Sequence, residues 1–394
     1  MKRPAAWLMA LNNSIDEVVD YRALALLRIA AGPLVLLHLA PFRESADEGI
    51  AYSDVFYEPY VAWFPDISRG GYFLLLNATA VAALLVTLGL FTRFAAPTTA
   101  ALVGYNLFLS QTHFHHNRAF LLILLVGLAL TPCGGALSLD ARFGRHANTR
   151  ARRWPLMLLR FELAVVYAAS GFSKLLDPDW WSGLVNQIRL ERYAQVVLDR
   201  GVPDRVVDLL LTPGFHTVTA KVIVLTELFI GLGLLWRRTR MAAIWVAIPF
   251  HIAIEISAEV QVFSYAALAA LIVWATPAQR DREVALRPET SPIRALEWGL
   301  TRLDWMARFR VVRAADDGPS VTLVDRADPG GTPVVRHGPE AARMILSRLP
   351  LTFWMTAPLL LPGLRQFWDR RVRAAFGGPG PGRSSAVADG GWKS

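Results

Sequence analysis

Eight apolar stretches constrain this chain more than any other feature. They run over 24–40, 72–90, 95–109 and 119–131, and again over 156–172, 218–236, 241–256 and 262–276. Stretches of about twenty residues match the thickness of a bilayer's hydrocarbon core. The runs at 95–109 and 119–131 are shorter and read as tilted or packed inside a bundle. With 54% hydrophobic and only 19% charged residues, the chain is too apolar for an ordinary soluble domain, so its solvent is lipid. The expectation is an all-α polytopic membrane protein, a bundle of about eight transmembrane helices over 21–276. An N-terminal cytoplasmic segment (1–20) precedes it, and the helix-cap pattern at Ser14-Ile15-Asp16-Glu17 argues against a cleaved signal peptide.

Charge orients the bundle. The net charge of +9 is carried by short Arg clusters between apolar runs, not by a stripe that would fit a nucleic acid. Arg142, Arg145, Arg150, Arg152 and Arg153 follow the fourth stretch; Arg237, Arg238 and Arg240 follow the sixth; Arg280, Arg282 and Arg287 follow the eighth. An even number of spans separates these clusters, so all fall on one side, with Lys2, Arg3 and Arg93. The positive-inside rule makes that side, and both termini, cytoplasmic. The opposite side receives the acidic and aromatic segment 42–71 and the long connection 177–217, which is long enough to carry short helices or a lid.

After residue 276 the composition turns polar, and a small cytoplasmic α+β segment is expected over 277–376. It would contain two strands at 320–324 and 333–336 around the turn Asp328-Pro329-Gly330-Gly331, then a helix at 339–348. The Gly-, Pro- and Ser-rich tail 377–394 reads as disordered. The lone cysteine, Cys133, excludes a dithiol mechanism within one chain.

Three passages could carry chemistry. The first, Tyr167 to Gly183, places Lys174 where the fifth span meets the outer side, followed by Asp177-Pro178-Asp179 and the pair Trp180-Trp181. A lysine at a helix end commonly snorkels to the interface; a desolvated lysine can instead serve as a base. The second passage is His113-Phe114-His115-His116-Asn117-Arg118. Its three histidines have no nearby Cys or carboxylate to complete a metal set, which favours polar capping and leaves no metal assigned. In the third passage His251, Glu255 and Glu259 are spaced i, i+4, i+8 on one helix face. Their plain structural role would be pairing with Arg28 or Arg160. Topology sends Lys174, His115, His116 and Glu255 toward the same outer side, and a polar pocket opening there accounts for the convergence.

At these residues the sequence resembles the HTTM family, the membrane domain shared with vitamin K-dependent gamma-carboxylase. The resemblance covers roughly 21–276. It rests on 24–32, on His116-Asn117 with the Leu-rich span ending Ser138-Leu139-Asp140, on 167–183, and on Phe250-His251 followed by Val262-Phe263-Ser264-Tyr265. It implies that Lys174 is the base that starts oxygenation of a reduced quinone acting as cosubstrate. His115, His116, Asn117, Arg118, Trp180, His251 and Glu255 would then surround the substrate. Arg118 stands where the carboxylase has a histidine, and the large β-rich domain that holds the carboxylase's protein substrate is missing, so carboxylation of protein glutamates is not expected. The segment 311–376 resembles the C-terminal half of a DCC-type thiol oxidoreductase domain whose Cys pair is absent. The implied setting is a bacterial inner membrane. The implied partners are membrane lipid and a quinone or other lipid-like small molecule, with no nucleic acid. The rival class is a non-catalytic membrane scaffold; a solute transporter is disfavoured by the absence of a clear internal repeat.

Overall fold

The computed structural model describes residues 15–49, 58–61, 63, 66–145, 149–236, 239–258, 260, 262–274, 282–304, 309–314, 318–325, 332–349, 352 and 356–376. Glu259, Arg237, Arg238, Arg280, the turn 328–331 and the tail 377–394 lie outside the described residues. The chain divides into two compact units, 1–276 and 277–394.

In the first unit every apolar stretch forms a helix: α1 (Arg22–Asp47), α2 (Arg69–Leu88), α3 (Thr92–Leu109), α4 (His116–Ala129), the four-residue α5 (Leu139–Arg142) and α6 (Trp154–Leu176). The connection after α6 holds three further helices, α7 (Pro178–Ser182), α8 (Leu184–Asp199) and α9 (Asp204–Leu210), before α10 (Pro213–Leu235), α11 (Arg240–Ala258) and α12 (Val262–Ala270). Four helices, at Arg22–Asp47, Arg69–Leu88, Trp154–Leu176 and Gly214–Leu235, are long and apolar enough to cross a bilayer. The remaining apolar helices are shorter. Pro33, Pro41, Pro97 and Pro249 all lie inside helices, as membrane helices tolerate when neighbours satisfy the freed carbonyls.

Local chemistry sets the helix ends. Ser68 Oγ accepts from the Gly71 amide at the start of α2, and Gly89 ends that helix in the left-handed region at φ 66°. The buried Asp140 carboxylate caps α3 by accepting from Phe91 N (2.9 Å), Thr92 N (2.7 Å) and Thr92 Oγ1 (2.9 Å). Strand β1 (Val18–Asp20) pairs antiparallel with β2 (Arg150–Arg152), tying the entry to α1 to the entry to α6.

The second unit is built on a four-stranded sheet of β3 (Arg282–Leu286), β4 (Arg310–Arg313), β5 (Val321–Asp325) and β6 (Val334–His337), in the order β4-β3-β5-β6. Helix α13 (Ser291–Leu303) makes the crossover between the parallel strands β3 and β4; β5 is antiparallel to both β3 and β6. Val284, Leu286, Val321 and Leu323 alternate toward a core shared with Ile293, Leu296, Ala342 and Ile345. Helices α14 (Gly338–Leu346), α15 (Pro362–Arg371) and α16 (Arg373–Phe376) complete the unit. Both strands and the helix expected after residue 319 are present. Beyond them, β3, α13 and β4 extend the α+β fold back to Arg282.

Candidate functional site

Helices α6 and α10 lie in unusually close contact because each offers a glycine to the other. A side chain at Gly171 would meet Leu228 at 2.9–3.0 Å, and one at Gly231 would meet the Ala168 backbone nitrogen at 2.6 Å. Small residues let membrane helices approach to backbone distance. One consequence is that Glu227, a turn before Gly231, faces Ser170 and Lys174 on either side of Gly171.

Helical side chains lean toward their own N-terminus, so the Lys174 amine reaches back along α6. Its Nζ donates to both Glu227 oxygens at 2.6 Å and to Ser170 Oγ at 2.9 Å. Ser170 Oγ also lies 3.2–3.3 Å from the carboxylate. The pair is mostly buried, with 17% of the Lys174 and 8% of the Glu227 side chain exposed. Trp180, on α7, covers the amine, its ring centroid 5.0 Å from Nζ, and Arg189 of α8 sits on the same ring at 5.8 Å.

This group lies in the wall of a cavity of about 750 Å³ that is otherwise largely apolar. Phe120, Ile123, Val166, Phe250, Ile254 and Phe263 form its greasy part; Asn117, Ser170, Lys174, Asn186, Arg189 and Glu227 form its polar part. Tyr167 reaches the cavity as well, and its hydroxyl is hydrogen-bonded to His251 Nε2 at 2.5 Å. An apolar volume with a few convergent polar groups is the usual form of a small-molecule site.

The residues singled out from sequence separate into two groups. Lys174, His115, His116, Asn117 and Trp180 all line the cavity. His251 is fully buried behind it, packed against the lining residues Tyr167, Phe250 and Phe263. Arg118 is not in the wall: its Nη1 donates to the His113 carbonyl at 3.0 Å, and its guanidinium stacks on Phe42 at 4.4 Å. Glu255 is also outside the lining; its carbonyl accepts from Arg200 at 2.5 Å.

The histidine trio diverges. His113 Nδ1 donates to the Asn106 carbonyl at 2.9 Å, His115 Nδ1 accepts from the Asn117 amide and so caps α4, and His116 packs edge-on against Phe114. Among the described residues no three His, Cys, Asp or Glu side chains gather as a metal set. The expected partners Arg28 and Arg160 are engaged elsewhere, Arg28 with carbonyl oxygens and Arg160 with the Val273 carbonyl at 2.9 Å and the Trp274 ring.

Sequence reasoning missed Glu227, the carboxylate that pairs with Lys174. Its signal was present: a single carboxylate within the 22-residue run Gly214–Leu235, whose most apolar 18-residue stretch has mean hydropathy 2.0. An ionisable group in such a run marks a site by default, but averaging over the window conceals it.

The sequence pattern described as the HTTM domain matches residues 17–278, well over half of the chain. The chain belongs to the HTTM family. No curated protein and no solved structure matches it. With its apolar helices, this HTTM protein is an integral membrane protein whose matched region contains the whole cavity.

Proposed function

We propose that the HTTM unit binds a quinone or another lipid-like molecule in the cavity beside Lys174 and acts on its reduced, hydroxyl-bearing form with the lysine amine as base. The observation that carries this reading is the position of the amine. It lies at the polar end of a largely apolar cavity, shielded by Trp180 and held against Glu227 and Ser170. The ring of a quinol would occupy the apolar part, with a hydroxyl directed at Lys174. The resemblance to the carboxylase's membrane domain supports the same assignment, with dioxygen as the second substrate of the half reaction.

The chemistry asks for a neutral amine, and the structure offers a place for its proton. Transfer from Nζ to Glu227 leaves an amine and a carboxylic acid side by side. The amine then takes the hydroxyl proton, giving a quinolate paired with an ammonium. Asn117 and His116 line the same cavity and supply polar contacts for the far oxygen. The broader reading has eight spanning helices, both termini in the cytoplasm, and a bacterial inner membrane as the setting. The helices on all eight apolar stretches and the Arg-rich connections support it.

One observation favours a second reading. Lys174 already has a carboxylate, a hydroxyl and an aromatic face, which is what a purely structural ion pair in a non-catalytic membrane scaffold would show. Comparing Lys174→Met and Lys174→Arg separates the two. A base at this position predicts that both variants lose quinol oxidation by roughly a hundredfold or more, because arginine keeps the charge but does not give up its proton. Full activity in Lys174→Arg would remove the lysine from the chemistry, and no activity in the unaltered protein would leave the scaffold reading standing. Lipid extraction and mass spectrometry of the purified protein give an independent check, since a co-purifying quinone supports the first reading.

A further inference from the structure

A second cavity, of about 560 Å³, lies at the opposite end of α3 and α4 from His115, between the start of α3, the end of α4 and the turn that follows. Nothing in the proposed chemistry uses it. Its lining includes three arginines, Arg93, Arg145 and Arg150, and one acid, Asp140. That acid is committed to the start of α3. Its carboxylate is buried, and it accepts from Phe91 N, Thr92 N and Thr92 Oγ1 at 2.7–2.9 Å.

The acids on the adjoining segment are also engaged. Asp16 pairs with Arg152, Glu17 with Arg153, and Asp20 with Arg22. Arg93 and Arg145 form no ion pair among the described residues; the Arg145 guanidinium lies against the rings of Phe91 and Phe143 at 5.0 and 5.7 Å. The hydroxyls of the lining are taken as donors, Thr92 by Asp140 and Thr131 by the Leu128 carbonyl. Arg93 and Arg145 remain as donors, and the fork of a guanidinium matches the oxygens of a phosphate. Around them Phe91, Phe94 and Phe143 are 52%, 70% and 60% exposed, the combination of aromatic and basic groups found where a membrane helix meets the headgroup layer.

We infer that this cavity is a binding site for a phosphate group, with Arg93 and Arg145 as its ligands. The phosphate comes from an anionic phospholipid headgroup or from a free phosphate, and the exposed phenylalanines favour a ligand that also carries acyl chains. The inference is independent of the chemistry at Lys174.

Binding to the folded state raises its melting temperature with ligand concentration. The full chain is reconstituted in phosphatidylcholine nanodiscs with and without phosphatidylglycerol, and separately in phosphatidylcholine with inorganic phosphate. The expected result is a rise of roughly 2–4 °C with phosphatidylglycerol. It should be lost in Arg93→Gln/Arg145→Gln and largely kept in Arg93→Lys/Arg145→Lys. Arg142→Gln, an exposed arginine outside the lining, should retain the full rise. Stabilisation by inorganic phosphate alone, with the same dependence on the arginines, assigns the site to free phosphate. The inference is overturned if neither ligand stabilises the protein. It is also overturned if the Gln pair responds like the unaltered chain, or if Arg142→Gln loses as much as the pair does, which would mean that diffuse surface charge is sufficient.

Discussion

Arg28 and Lys174 are both largely withdrawn from water in the membrane unit, and their surroundings differ in kind. Arg28, on α1, is fully buried, and only carbonyl oxygens accept from it: Val86 (2.6 Å), Thr87 (2.7 Å), Leu137 (2.6 Å) and Cys133 (3.1 Å), with Ala136 at 3.5 Å. Val86 and Thr87 are the last turn of α2, where unsatisfied carbonyls and the helix dipole present negative charge. Lys174 instead meets a carboxylate and a hydroxyl at the edge of a cavity. Arg28 thus closes the end of α2 and the 133–137 turn with donors that have nowhere to go, which makes it a clamp. Lys174 has a carboxylate neighbour and an open cavity beside it, the surroundings that the proposed base chemistry requires. Burial alone does not distinguish the two cations; the chemistry of their acceptors does.

The contrast breaks most readily at Arg28. Replacing it by methionine fills part of the volume but leaves several buried carbonyls without donors, and the expected loss is about 3–5 kcal/mol. Thermal melting in detergent should show most of Arg28→Met unfolded at temperatures that the unaltered chain survives. A variant that melts normally would mean that water replaces the guanidinium and that no clamp exists.

Gly231→Ala should be the next largest. The new methyl would stand 2.6 Å from the Ala168 backbone nitrogen, so α6 and α10 must separate, at about 1–3 kcal/mol. Because the same contact aligns Glu227 with Lys174, any quinone that co-purifies with the unaltered protein should be lost along with thermal stability. Loss of stability with full retention of the ligand would show that the site does not depend on the helix contact.

Glu227→Gln should cost less, about 1–2 kcal/mol, since the amide oxygen still accepts from Lys174 and only the charge assistance goes. Melting of this variant beside Arg28→Met measures the comparison directly. Equal losses would make the two cations equivalent and remove the distinction drawn between them.

The smallest effect concerns pH. Burial holds the His113 imidazole below its ordinary value, with the nearby Arg118 charge acting in the same direction against the hydrogen bond to the Asn106 carbonyl. A histidine kept neutral in the fold binds fewer protons there than in the unfolded chain. Its contribution is therefore complete above the unfolded value near 6.5 and is lost as the pH falls below it. His113→Asn, whose amide can still donate to that carbonyl, should melt less steeply with falling pH between about 6.5 and 5, by about 1 kcal/mol or less. Parallel pH profiles for the two proteins would show that His113 does not contribute.

Much of the architecture was legible in the residues. All eight apolar stretches are helices, because a run of side chains that suits lipid must also satisfy its own backbone hydrogen bonds. The passage around Lys174 and the His115-His116-Asn117 turn could be picked out because polar groups are conspicuous in such surroundings, and both do line one cavity. The strands β5 and β6 were visible as short β-branched runs. By contrast β3 and β4 were hidden, since Arg282-Glu283 and Arg310 give them the look of charged linker.

What the sequence by itself determined was the solvent of each segment and the small set of ionisable groups placed at its borders. Only the tertiary structure decided which of those groups meet. Nothing in the spacing of Lys174 and Glu227, 53 positions apart, brings them together; the mutual approach of Gly171 and Gly231 does. Nor could hydropathy tell that Arg118 and Glu255 would lie outside the cavity lining while Trp180 covers the Lys174 amine. Periodicity fixes the face of a helix on which a residue lies, but the neighbour of that face is set by how whole helices pack, and that depends on contacts remote in sequence.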